Sequence, residues 1–300
     1  MSTSAKPRVA IIGAGRLGSN LCAWLSAANY QVSGLASRNV DRMREIMWAS
    51  QSSAALFKSP REAALQGDLV FITVPDAHIS EVVKEIIPHA DDHSKRTFVH
   101  CAGSKLAREL ADLKELGAAI GVFHPIQSFA PLPKEGRPEA SPFTGISIGI
   151  EAQSEDKFEM LAQVASDLSA KPLRLGNDAR SRARYHASAV LASNALVALM
   201  DSAVGLLVHD GHAEPEARAA LLTLVQGTVN NLAKMPAPEA LTGPVARGDA
   251  ETLAAHLAAL PPAAKALYRA TMRAALATTK SAGRIDANIA ERLLGALGNE

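Results

Sequence analysis

Only two cysteines occur in 300 residues, Cys22 and Cys101, with neither metal-ligand spacing nor the pattern of a disulfide framework. A reducing cytoplasm is the expected setting. Net charge is almost absent as well: 31 basic against 30 acidic residues leave +1, which removes the electrostatic case for binding nucleic acid or an anionic membrane. No charged-then-apolar leader is expected, because a strand-like segment starts almost at once. No run approaches the roughly 18 apolar residues needed to span a bilayer, so no membrane span is expected either. No group of His, Cys, Asp or Glu has metal spacing, and neither a Gly-x-Ser-x-Gly elbow nor a P-loop occurs. No metal is therefore expected. With no repeat of fixed period, 48% hydrophobic and 20% charged residues over this length describe a globular chain of two domains.

What is present begins at residue 8. Arg8-Val9-Ala10-Ile11-Ile12 reads as a buried strand running into Gly13-Ala14-Gly15-Arg16-Leu17-Gly18 and then a helix, Leu17 to Ala28. In this Gly-x-Gly-x-x-Gly turn, Gly13 permits the tight bend, Gly15 leaves room for a pyrophosphate, and Gly18 lets the helix pack close to its strand. Backbone groups of Gly13, Arg16 and Leu17 would hold the pyrophosphate at the helix N-terminus. A second strand, Tyr30 to Ala36, ends in Ser37-Arg38-Asn39. An NAD site usually carries Asp or Glu about 20 residues past the glycines, and none stands here. Ser37 can donate to a 2′-phosphate and Arg38 can pair with it through its planar fork, so the expected cofactor is NADP(H).

Strands and helices continue to alternate. Asp68 to Val74, Thr97 to His100 and Ala118 to Phe123 read as strands covered on both faces, with a helix from Ile79 to Ala90. Parallel strands bind ligands beyond their carboxyl ends, which draws Pro75, Gly103, Ser104, His124, Gln127 and Ser128 to one edge. Pro75, Gly103 and Ser104 are expected on the nicotinamide side. After a Pro-rich loop, Pro131 to Pro142, come a strand at Gly145 to Ile150, a helix at Asp156 to Leu168 and a strand at Pro172 to Leu175. From Asn177 onward Ala- and Leu-rich helical segments dominate. The expected architecture is α/β: a doubly wound Rossmann domain with a mostly parallel sheet, residues 1–176, then an all-helical domain, 177–300. The basic cluster Arg180-Ser181-Arg182-Ala183-Arg184 is most simply a solvated helix entry.

Four motifs taken together carry a resemblance: the glycine turn, His124-Pro125-Ile126-Gln127-Ser128-Phe129, Tyr185-His186 with Ser193-Asn194, and Leu241-Thr242-Gly243-Pro244-Val245-Ala246-Arg247-Gly248-Asp249. Across nearly the whole chain this resembles bacterial Rossmann-like oxidoreductases whose C-terminal domain is of unknown function. That family is similar to the superfamily of ketopantoate reductase, pyrroline-5-carboxylate reductase, prephenate dehydrogenase and the 3-hydroxyacid dehydrogenases. The resemblance implies hydride transfer between a nicotinamide and a carbonyl or imine. In ketopantoate reductase and the hydroxyacid dehydrogenases a catalytic Lys stands on the first helix of the second domain, where this chain has His186. Asn194 matches the farther of the Asn residues that follow, while Val190 departs from the nearer one.

An imidazolium suits the proton step, since hydride arriving at a carbonyl carbon leaves charge on oxygen. His186 is thus the expected general acid, and the alternative is a helix-face His with a structural partner. His124 resembles the His-Pro turn of prephenate dehydrogenases, which implies contact with nicotinamide or substrate and makes it a catalytic candidate beside His186 and Asn194, and it is equally a chain-turning pair. His100 faces the nicotinamide or caps its strand, the second being favoured. Along a regular helix, at ~100° and ~1.5 Å per residue, Ser193 lies nearly above His186 and Asn194 ~80° away. Ser193, Asn194 and Gln127 would line a substrate cleft between the domains. An anionic substrate would explain Arg247, and so would an ion pair with the first domain; Asp249 reads as a helix N-cap. The apolar helices at 187–208 and 217–232 are expected to bury their surface in a homodimer. Two rivals to the reductase are a non-catalytic NADPH-binding regulator or sensor and a helical interaction module on a Rossmann scaffold.

Overall fold

Eight short strands, each able to bury both faces or to close an edge, assemble into one twisted sheet. A computed structural model describes residues 5–87 and 92–298. The strands are β1 (Val9–Ile12), β2 (Val32–Ala36), β3 (Ala55–Phe57), β4 (Leu69–Ile72), β5 (Thr97–His100), β6 (Ala119–Pro125), β7 (Ser147–Ala152) and β8 (Lys171–Arg174), in spatial order β3-β2-β1-β4-β5-β6-β7-β8. All neighbours are parallel except β6 and β7, which run antiparallel. The expected doubly wound, mostly parallel sheet is therefore present. The helices of this half are α1 (Arg16–Ala27), α2 (Val40–Ser50), α3 (Pro60–Ala64), α4 (Ile79–Ile86), α5 (Ala111–Glu115), α6 (Glu155–Asp167) and α7 (Ala179–Ala192). The expected helix 79–90 has its far end outside the described residues.

The apolar runs explain the layers. All four residues of β1 and of β4 are buried, as a strand covered by helices on both faces requires. Ile11, Leu21, Leu25, Phe71 and Phe123 belong to one buried cluster, and Ile12, Val70, Ile72, Phe98 and Val122 to a second. Each such side chain contributes roughly 1.5–3 kcal/mol on burial. Because β2 and β4 flank β1 on opposite sides, the chain reverses its winding there. A crevice opens at that switch point, beyond the carboxyl ends of β1 and β4.

The chain divides into two compact units between Ser193 and Asn194. The expected boundary near residue 177 falls in the loop before α7; that helix groups with the sheet because its buried Arg182 bonds to β7 and to the loop after β5. The second unit is helical: α8 (Asn194–His209), α9 (Glu214–Leu232), α10 (Ala237–Ala240), α11 (Pro244–Arg247), α12 (Ala250–Ala259), α13 (Pro262–Ser281) and α14 (Ala287–Leu297). Its core, including Val245, Leu253, Leu276, Leu293 and Leu297, is supplied by the last four helices and the turn before α14. By contrast α8 and α9 leave Leu196, Val197, Leu199, Leu222, Leu224 and Leu232 exposed. Among the described residues one helical stretch, Ala179–His209, is long and apolar enough by composition to cross a bilayer, with a mean hydropathy of 1.8 over an 18-residue window. Counting uninterrupted apolar residues overlooks it, since Ser193, Asn194 and Asp201 punctuate the run.

Candidate active site

The glycine turn is built as its residue types demand. Gly13 has φ +117°, a conformation that a side chain would strain. Its carbonyl accepts from the Thr73 hydroxyl at 2.9 Å, which fastens the turn to the end of β4. A Cβ on Gly18 would run into the Gly13 carbonyl, whereas one on Gly15 would meet nothing within 4 Å. The first position thus needs glycine for helix-to-turn packing, and the second leaves an open approach to the backbone. Gly15 occupies the N-cap of α1 with no side-chain cap, so the first-turn amides, Arg16 and Leu17 among them, remain for an anion.

A cleft of about 360 Å³ opens from this turn, lined by Gly13, Gly15, Ser37, Arg38, Lys58 and Pro75 among others. Ser37 Oγ accepts the Asn39 amide at 3.2 Å, which leaves its own proton to donate. Arg42 is committed to Glu45 at 3.0 Å. Arg38 and Lys58 are exposed, and neither has a hydrogen bond or ion pair among the described residues. Lys58 follows β3 and reaches this edge because the Ser37 amide bonds to the Phe57 carbonyl at 3.2 Å. An open glycine approach, an uncapped helix start and two unpaired cations beside a hydroxyl fit an NADP phosphate set. Arg16, Leu17 and Gly18 do not line the cleft with side chains. Arg16 is exposed, Leu17 packs on the core and Gly18 is buried.

One strand further along, the loop after β5 carries the second half of the site. Buried His100 braces it: its Nδ1 accepts the Ala102 amide at 3.2 Å and its Nε2 donates to the Leu106 carbonyl at 2.9 Å. That is the structural role favoured for His100, and burial holds its pKa below the ordinary value. Ser104, expected at the nicotinamide, donates to Asp76 at 2.7 Å. This bond joins the loop to the residue after cleft-lining Pro75.

Gly103 sits beneath two imidazoles. A Cβ there would stand 2.7 Å from His124 Nε2 and 3.0 Å from His186 Nδ1. His124 lies within β6, opposite Gly149 of β7, rather than just past the strand end. Tyr185 and His186 come from α7. The Tyr185 hydroxyl is 2.7 Å from His124 Nδ1. Burial first, and the neighbouring His186 second, push the His124 pKa down to about 4, while burial pushes Tyr185 up to about 12. Both are therefore neutral at physiological pH. His186 Nδ1 is buried with no hydrogen-bond partner among the described residues. An unsatisfied buried polar atom costs roughly 1–3 kcal/mol, and a catalytic role is among the reasons a fold keeps one.

Arg182, expected in a solvated helix entry, is 1% exposed. Its Nη2 meets Glu151 of β7 at 2.6 Å and the Gly176 carbonyl at 3.1 Å, and its Nη1 meets the Lys105 carbonyl at 2.7 Å. Glu151 also accepts the Ala107 amide at 3.2 Å. One guanidinium thus ties α7 to the sheet and to the Gly103 loop. Tyr185 and His186, three and four residues on, are held on the same helix face.

Gln127 is exposed and its side chain accepts the Ser128 amide at 2.8 Å. Phe129 packs against Phe143 with ring centroids 4.9 Å apart. Ser193 closes α7 at φ −119°, ψ −69°, directly before α8. Asn194 opens α8 in the second unit, and Arg247 closes α11 in the same unit with an exposed side chain. Asp249 caps α12, accepting the Thr252 amide at 3.0 Å. Cys101 is half-buried, and desolvation raises its thiol pKa, which disfavours the reactive thiolate.

Comparisons with known proteins follow the two halves. Residues 8–102 match the family described as NADP oxidoreductase coenzyme F420-dependent, and residues 146–275 match a domain of unknown function, DUF2520. A Bacteroides fragilis protein described as an NADP oxidoreductase is 25% identical, with 91% of this chain and 98% of that one covered at a TM-score of 0.72. A Thermotoga maritima protein is also 25% identical, with 92% and 99% covered at 0.66. Pyrroline carboxylate reductase of Plasmodium falciparum, solved with NADP bound, shares the fold at 14% identity, a TM-score of 0.58 and coverages of 92% and 98%. No curated protein matches.

Proposed function

We propose that this chain, an NADP-oxidoreductase domain followed by a domain of unknown function, reduces a small carbonyl or imine compound with NADPH. The observation that carries the reading is the convergence of His124 and His186 over Gly103, on a loop bonded to the edge of the dinucleotide cleft. NADPH, when bound, supplies the hydride that forms the new C–H bond. His186 donates the proton to the oxygen or nitrogen that takes the negative charge. His124, neutral, polarises the same atom. Ser37, Arg38 and Lys58 receive the 2′-phosphate. Ser193 and Gln127, together with Asn194 and Arg247 of the second unit, stand as proposed substrate-orienting residues on motif and resemblance. Two free cysteines without metal spacing support a reducing, cytoplasmic setting.

NADPH oxidation over a panel of 2-oxo acids and cyclic imines tests the reading. At least one compound should accelerate oxidation above the substrate-free rate; tight NADPH binding with no acceleration by any would favour the sensor. The phosphate contact has its own test. Arg38→Asp replaces a charge-assisted donor with a repelling carboxylate, so NADPH affinity should fall by about 10- to 100-fold and preference should turn to NADH. Equal wild-type affinity for NADH and NADPH would refute the assignment.

Homodimerisation belongs to the same proposal. The exposed leucines and valines of α8 and α9 form an apolar surface of the kind that a second copy covers. Light scattering at micromolar concentration should give twice the chain mass, with Leu199→Glu combined with Leu224→Glu shifting it toward one chain. A wild-type monomer would contradict this.

A further inference from the structure

We propose that Tyr185 is a positioning residue: its hydroxyl donates to His124 Nδ1 and locks His124 in the tautomer that carries its proton on Nε2, facing the space over Gly103. This rests on the reading of the site as a reductase centre and assigns the division of labour within it.

The sheet provides the slot. In the antiparallel pairing of β6 and β7, His124 stands opposite Gly149. A Cβ on Gly149 would collide with the Tyr185 hydroxyl and would stand 2.9 Å from Leu175 Cδ1. Glycine at this register position is what lets a tyrosine from α7 reach across the strand to the imidazole. The ring of Tyr185 meets that of His124 edge-on, with centroids 5.6 Å apart and planes at 80°, so the contact fixes ring orientation as well as the hydrogen bond.

The direction of the bond follows from proton counting. A neutral imidazole has one N–H and one acceptor nitrogen, and a phenol has one proton to give. His124 Nδ1 is the only described partner of the Tyr185 hydroxyl. If Nδ1 carried the hydrogen, the hydroxyl proton would be left without an acceptor in a partly buried slot. Burial keeps Tyr185 protonated and His124 uncharged, so the hydroxyl donates, Nδ1 accepts, and the imidazole proton resides on Nε2. That nitrogen is the one beside Gly103, where it shares the space with unpartnered His186 Nδ1. A neutral imidazole N–H is an effective electrophile toward a carbonyl oxygen. His124 thus holds and polarises the reacting atom without giving up its proton, and His186 delivers one. Arg182, one turn before Tyr185, keeps the hydroxyl at this distance through its bonds to β7 and the Gly103 loop.

NMR of the full-length protein with heavy-nitrogen-labelled histidine reads the tautomer directly, with or without substrate. The wild type should show His124 as the Nε2-protonated form. Tyr185→Phe keeps the ring but loses the donor, and should raise the Nδ1-protonated population by roughly tenfold, with kcat falling by a similar factor and the KM for NADPH unchanged. Gly149→Ala, which displaces the hydroxyl while retaining both rings, should move the same signal. A wild-type Nδ1-protonated His124, or a tautomer that Tyr185→Phe leaves unchanged, overturns the proposal. The expected tautomer shift in a protein that reduces no tested compound would instead sustain the lock and count against the reductase.

Discussion

Turnover should fall by about 100- to 10,000-fold when His186 is replaced by alanine, the range that a positioned general acid contributes. The proton would otherwise have to come from water, because His124 is neutral and its remaining N–H serves as a hydrogen-bond donor. NADPH affinity should stay nearly unchanged, since His186 is not among the residues lining the dinucleotide cleft. Steady-state kinetics on an accepted substrate, with a cofactor titration alongside, separates the two effects. Equal loss of binding and turnover would place His186 among the cofactor contacts. A wild-type rate would make it a structural residue and move the proton donor to His124.

The second large effect concerns stability. Arg182→Met removes one partner of an ion pair whose side chains are 1% and 12% exposed. It leaves the Glu151 carboxylate with the Ala107 amide as its remaining described partner. Breaking a buried pair in this way costs about 3–5 kcal/mol, visible as a lower midpoint in urea unfolding. Replacing both members, Arg182→Met with Glu151→Leu, should recover most of the loss, because apolar residues of similar volume commonly substitute for a buried pair. A single variant as stable as the wild type would show that the guanidinium is not what fastens α7 to the sheet.

Much of the first half was legible because parallel strands buried on both faces leave unbroken apolar runs, and because a strand leading into Gly13-x-Gly15-x-x-Gly18 has few other uses. Two parts of the cleft were not. β3 is a three-residue edge strand with exposed Ala55 and Leu56, too short for any periodicity to register. Lys58, just beyond it, was missed for the same reason. Arg182 reads like Arg180 and Arg184 in the sequence; its burial depends on a carboxylate 31 residues away and a carbonyl 77 residues away, which local composition does not encode. The Tyr185 to His124 contact spans 61 residues and is signalled only by a glycine on a strand between them in the chain. Helical spacing carried the reading from His186 as far as Ser193. Ser193 then closes α7 and Asn194 opens α8, so the spacing from His186 to Asn194 crosses a helix end.

The most direct test of the central claim follows the transferred atom. The protein is incubated with NADPH deuterated at the transferable position and with each member of the 2-oxo acid and cyclic imine panel, and products are examined by mass spectrometry. The expected result is deuterium at the former carbonyl or imine carbon of at least one product, with incorporation slowed by His186→Ala to the extent stated above. NADPH bound tightly, with no deuterium reaching any product, would contradict it.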